Sequence, residues 1–226
     1  MIESVDLRLP APVKRRRGVT SFQGFAGMGT KEQEARERIL RATIVCIGRD
    51  GLDATGIREI AREAQVNSAA ISYYFRSKEK LVALALEQTL DQAFGNVLED
   101  FDRLRLEGLG IREAFETLLE DLMSNSLRYP YIAHAHFHDA LAHQRYDSSA
   151  IQRFNAFLAE LAGRLAPGAP HLPENRLRMA LTQVWASLSL LSMMPRLFDQ
   201  FILLDFGTLD TRRAWVQQAS RLLFVP

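Results

Sequence analysis

From Lys31 onward, apolar residues return at every third or fourth position, the spacing that places them along one stripe of an α-helix. In the first such segment the stripe is Ala35, Ile39, Ala42, Cys46 and Ile47. Thr30 stands at the N-cap position and Gly51 where the helix must stop. The next two segments are short. Over 57–64, Ile57, Ile60, Ala61 and Ala64 face one way while Arg58, Glu59, Arg62 and Glu63 face the other. Over 68–75, Asn67 is the expected N-cap. Ser77 caps a long helix over 78–106, and further helical stretches follow at 110–128, 131–143, 148–165, 174–194, 196–204 and 210–224. They are parted by Tyr129-Pro130, Pro167-Gly168-Ala169-Pro170, Pro195 and Gly207. No segment alternates with the period of a strand and no repeat recurs, so the pattern predicts an all-α fold.

Residues 1–30 break the pattern. Pro10, Pro12, Gly18, Gly24, Gly27 and Gly29 punctuate them, and they carry the run Lys14-Arg15-Arg16-Arg17, which reads as a flexible basic arm. The Gly24, Gly27 and Gly29 spacing matches neither the dinucleotide nor the P-loop signature. The arm is either a solvated tail or an added contact to phosphates or a minor groove.

The net charge of +1 hides an asymmetry. Residues 1–80 hold 15 Lys+Arg against 10 Asp+Glu, which leaves 13 against 17 for residues 81–226. The basic end suits a polyanion and the acidic remainder does not. At 226 residues with 47% hydrophobic composition, the chain can bury a core without staples. The one cysteine, Cys46, sits among Ile44, Val45 and Ile47 and reads as core. No apolar run reaches the ~20 residues of a membrane span, and no secretory signal is read, so a cytoplasmic address with no membrane partner is expected. The Gly-x-Ser-x-Gly, His-Glu-x-x-His and P-loop signatures are absent, and Asp205-Phe206-Gly207 lacks every other kinase element. A non-enzyme without cofactor is therefore expected.

Two short helices separated by Gln65-Val66-Asn67 need a third helix beneath them, and the one ending near Arg49 supplies it. A helix exposed on such a unit fits the DNA major groove, where Asn67, Ser68, Ala69, Ala70 and Ser72 would reach base edges or phosphates. Ile71 and Phe75 fall on the opposite side and should pack on Ile60, Ala61 and Val66. The run Gly51-Leu52-Asp53-Ala54-Thr55-Gly56-Ile57-Arg58-Glu59-Ile60-Ala61, followed by Val66-Asn67-Ser68-Ala69-Ala70-Ile71-Ser72-Tyr73-Tyr74-Phe75-Arg76-Ser77-Lys78-Glu79-Lys80-Leu81, resembles the TetR family of transcriptional regulators. That resemblance implies that Arg58 reaches a base or phosphate and that Asn67, Ser68, Ala69, Ala70 and Ser72 read the groove. It also implies that Tyr73, Tyr74 and Lys78 anchor phosphates; for the two tyrosines, packing on the domain's own core is the alternative. Gln65 stands where the family usually has Gly, so the turn must tolerate a less easily accommodated backbone or use a different φ. Tyr74 stands where His is frequent.

The expected organisation is an arm over 1–30, a helix-turn-helix DNA-binding domain over 31–80, and a larger helical bundle over 81–226 that binds ligand and dimerises. Leu177, Leu181, Val184, Leu188 and Leu191 in one late helix, with Trp215, Ala219, Leu222 and Leu223 in another, are apolar faces that in the family pair with their copies. Phe94, Phe101, Phe115, His134, Phe137, His138 and Trp185 are candidate ligand-pocket residues, which favours a small hydrophobic or aromatic effector. The expected function is a ligand-responsive repressor bound as a homodimer to a palindromic operator in double-stranded DNA and released by the effector. No residue is assigned to a metal. Two alternatives stand: a helical protein-interaction module, and a metal-responsive regulator using the His134/His138 region. On a helix His134 shares a face with His138, and His136 with Asp139 and His143.

Overall fold

The computed structural model describes residues 30–128 and 130–224; the arm expected before Thr30, with its basic run, lies outside the described residues. Among the described residues ten α-helices follow one another: α1 (Thr30–Asp50), α2 (Ile57–Glu63), α3 (Ser68–Phe75), α4 (Lys78–Leu106), α5 (Ile111–Arg128), α6 (Pro130–His143), α7 (Ser149–Leu165), α8 (Glu174–Met193), α9 (Asp199–Ile202) and α10 (Leu209–Phe224). Among the described residues there is no strand. Local chemistry explains the boundaries. The Ser77 and Ser148 hydroxyls accept from the Lys80 and Ile151 N–H groups at the starts of α4 and α7. Gly108, at φ +98°, ends α4 with its N–H donated to Arg105 and the Leu109 N–H donated to Leu104.

The helices enclose two cores. In the smaller, Ile39, Leu40, Cys46, Ile60, Ala61, Ile71 and Phe75 meet Leu81 and Ala85 from the start of α4, so this core runs past residue 80. In the larger, α5 lies inside the bundle with Phe115, Leu118, Leu119 and Met123 buried against α4, α8 and α10. A third, small cluster joins the two: Ile47 of α1, Val82 of α4 and Ala135 of α6, with Ile132 packed alongside. Thus α6 as well as α4 touches the N-terminal unit. Charged links brace the bundle, with Arg153 of α7 bound to Glu87 and Asp91 of α4, and Arg164 3.1 Å from Asp102.

Two sequence expectations change. Leu177, Leu181, Val184, Leu188 and Leu191 are buried within the chain's own core, as are Ala219 and Leu223, while Trp215 only packs against that core. A helix carries one broad apolar stripe, and here the bundle itself uses it. Leu222 does stand out, 47% exposed, as does Met179 on the outer side of α8 at 54%. The helix expected over 196–204 shrinks to the single turn of α9. Pro195 lies just before it, Phe198 at its N-cap offers no side-chain acceptor, and Leu203 leaves in the left-handed region at φ 53°. Leu197, Phe198, Phe201, Leu203 and Leu204 consequently sit on the surface.

Candidate nucleic-acid interface

The N-terminal unit is assembled from the turn outward. Thr55 is fully buried and its hydroxyl donates to the Gly51 carbonyl at 2.7 Å, which fixes the approach to α2. The Glu59 carboxylate accepts from the Gly56 N–H at 2.9 Å, closing the N-terminus of α2. At the other end, Gln65 N–H donates to Arg62 and Val66 N–H to Ala61, the two bonds of a Schellman ending. That ending requires a left-handed residue, and Gln65 supplies it at φ 54°. Gln65, standing where the family usually has Gly, thus takes the left-handed conformation itself. Asn67 then caps α3, its side-chain oxygen accepting from Ala69 N–H at 2.9 Å.

These constraints aim α3. Ile71 and Phe75 are buried against α2 and α1, and the Arg36 guanidinium lies over the Phe75 ring, 5.4 Å from its centroid. Asn67, Ala69, Ser72 and Tyr73 are left exposed, with Ser68 and Ala70 partly so. The two tyrosines divide: Tyr73 is 74% exposed, whereas Tyr74 leans on the small core and meets Phe75 edge-on. No charged residue lies on α3 itself. Cations surround it instead: Arg58 on α2, Arg76 directly after α3, and Lys78 and Lys80 in the first turn of α4, none ion-paired with another described residue. Arg76 and Lys80 were not among the sequence candidates, although two cations flanking the recognition segment were there to be read. The result is a neutral, small-residue helix face with positive charge around it, an arrangement that can approach base edges while holding phosphates.

The candidate pocket residues are dispersed. Phe101 and Phe115 are buried in the large core, and Phe94 stacks on Phe157 at 4.4 Å between centroids. Phe137 and Trp185 line an apolar cavity of about 320 Å³ among α6, α7 and α8, together with Leu141, Phe154, Leu158 and Met193. His138 lines a different, more polar cavity of about 450 Å³ at the junction of the two units, whose walls include Lys78, Glu79, Val82, His136 and Arg145. His134 is exposed. His136 turns inward, burial lowers its pKa to about 4, and its Nδ1 has no hydrogen-bond partner among the described residues. The donor atoms of His138, Asp139 and His143, by contrast, all lie within 4.8 Å of one another.

Residues 39–85 match the family model for bacterial regulatory proteins of the tetR family. The chain is 32% identical over 104 residues to the HTH-type transcriptional dual regulator CecR of Shigella flexneri, covering 45% of this chain and 46% of that protein. It is 30% identical over 146 residues to the HTH-type transcriptional repressor NicS of Pseudomonas putida, covering 62% and 65%. The matched part thus spans less than two thirds of either relative. The fold agrees over more of the length: a TetR family transcription regulator from Marinobacter aquaeolei VT8 superposes with a TM-score of 0.62 at 21% identity, over 87% of this chain and 98% of that one. With the turn and the recognition helix in the family's order, residues 39–85 form an N-terminal unit of the tetR family of bacterial regulatory proteins, and the chain shares its overall fold with the regulator from Marinobacter aquaeolei VT8.

Proposed function

We propose that the protein is a non-enzymatic, cytoplasmic transcriptional regulator that binds a palindromic operator as a homodimer, acts as a repressor, and leaves the DNA when a small hydrophobic effector binds. The observation that carries the reading is the α3 surface: a charge-free helix, fixed by its Asn67 cap and its Ile71 and Phe75 anchors, with cations on either side that make no ion pair with another described residue. Arg58, Asn67, Ser68, Ala69, Ala70 and Ser72 take the groove, and Tyr73, Lys78, Arg76 and Lys80 take phosphates. Tyr74, half-inserted in the core, positions its neighbour.

Two recognition helices must meet half-sites roughly 34 Å apart, so a second copy is required. Its contact is assigned to the outer sides of α8 and α10 and to the apolar segment between them, where Phe201 is 87% and Leu203 81% exposed. The effector is assigned to the apolar cavity lined by Phe137 and Trp185. Helix α6 gives that cavity a mechanical output: Phe137 and Leu141 face the cavity, while Ile132 and Ala135 of the same helix pack near Ile47 of α1. A ligand that shifts α6 thus acts on the unit carrying α3, and it releases DNA only by preferring the shifted state.

Selection from random duplex pools with the purified full-length chain, at moderate salt and with non-specific competitor, tests the reading. An enriched inverted repeat with half-sites about one helical turn apart is the expected result. A pool without any enriched sequence would refute it.

A further inference from the structure

We propose that His138, Asp139 and His143, at the C-terminal end of α6, form a binding site for a divalent transition-metal ion of the zinc, nickel or cobalt kind. The grouping is one that helical spacing alone does not give. His136, which shares a helical face with Asp139 and His143, turns into the interior, and His138 takes its place because the last turn of α6 brings His143 within reach, the two rings being 5.8 Å apart. The donor atoms lie within 4.8 Å of one another. Ligands about 2.0–2.2 Å from a shared ion in tetrahedral geometry stand about 3.3–3.6 Å apart, so closing the set takes side-chain movements of up to about 1.5 Å. Asp139 and His143 are exposed and can make them.

The surroundings favour a cation and select its type. Helix α6 runs toward His143, so the negative end of its dipole faces the cluster. The Asp139 carboxylate already gathers nitrogen partners, with Arg145 Nη2 at 3.2 Å and His138 Nδ1 at 3.5 Å from the same oxygen. Two imidazoles and one carboxylate suit zinc, nickel or cobalt, whereas calcium and magnesium demand an all-oxygen shell. The remaining positions would be filled by solvent. An incoming ion competes with Arg145 for Asp139, and the freed guanidinium belongs to the wall of the junction cavity that also holds Lys78 and Glu79.

The test is calorimetric titration of the tag-free, chelator-stripped full chain with zinc chloride, and with cobalt chloride followed by its visible absorption. It needs no DNA, so its outcome is separable from that of operator selection. One ion per chain is expected, with His138→Ala, Asp139→Asn and His143→Ala each weakening binding by about tenfold or more. His134→Ala, one helical turn away with its ring 6.3 Å from that of His138, should change it by less than about twofold. Arg145→Ala should tighten binding several-fold, a gain that misfolding cannot produce. No saturable binding by the parent chain, unchanged binding in His143→Ala, an equal loss in His134→Ala, or weaker binding in Arg145→Ala would each overturn the proposal.

Discussion

Replacing Gln65 with glycine should stabilise the protein, because the helix-turn-helix turn holds a side-chain-bearing residue in a conformation that disfavours one. Gln65 sits at φ 54°, and a left-handed L-residue costs about 1–2 kcal/mol. Glycine removes that cost but loses about 0.5–1 kcal/mol more chain entropy on folding, so Gln65→Gly should gain about 0.5–1 kcal/mol. The protein contains its own control. Gly108 ends α4 with the same pair of hydrogen bonds as Gln65, at φ +98°, and a Cβ there would meet nothing within 4 Å. By the same balance Gly108→Gln should therefore lose about 0.5–1 kcal/mol. For a chain of this length a change of 1 kcal/mol moves Tm by about 2–4 °C. Thermal scans at matched chain concentration should place Gln65→Gly about 1–4 °C above the parent and Gly108→Gln below it. Since Gln65 is exposed, operator affinity should change by less than about twofold. A lower Tm for Gln65→Gly, with Gly108→Gln behaving as expected, would refute the reasoning: it would mean that the Gln65 side chain contributes more than its backbone costs.

Other expectations follow from the same geometry. Arg58→Ala or Ser68→Ala should alter which bases are preferred in selection experiments, whereas Lys78→Ala should weaken all sequences alike and lower the salt slope of log K by about one. A base-specific effect of Lys78→Ala would count against its phosphate role. Phe201→Asp should convert dimer to monomer in light scattering while leaving the helical circular dichroism intact, because that ring is 87% exposed in the single chain. A dimer that persists would move the contact elsewhere. Cys46 is fully buried and burial pushes its thiol pKa up, so the folded protein should react with a thiol reagent only at the rate of its opening. Fast stoichiometric labelling at neutral pH would contradict that burial.

Sequence by itself determined the parts of this protein governed by neighbours in the chain. Helix α3 and the long α4 start and stop at the predicted residues, because Asn67, Ser77 and the apolar period act within one or two turns. The exposed face of α3 was legible for the same reason: once Ile71 and Phe75 are inward, helical geometry turns Ser68, Ala69 and Ser72 outward. Tertiary structure decided everything that depends on which faces meet. The leucine stripe of α8 looks the same in a sequence whether it is covered by the chain's own α5 and α7 or by a second copy, and only packing assigned it to the monomer. The aromatic candidates divided likewise, Phe101 and Phe115 into solid core, Phe137 and Trp185 onto a cavity. Of the α6 histidines, His136 has its Nδ1 shut away from solvent without a partner among the described residues, while His138 lies beside Asp139 and His143. Periodicity names the side of a helix; only the elements packed around it decide whether that side meets core, cavity or solvent.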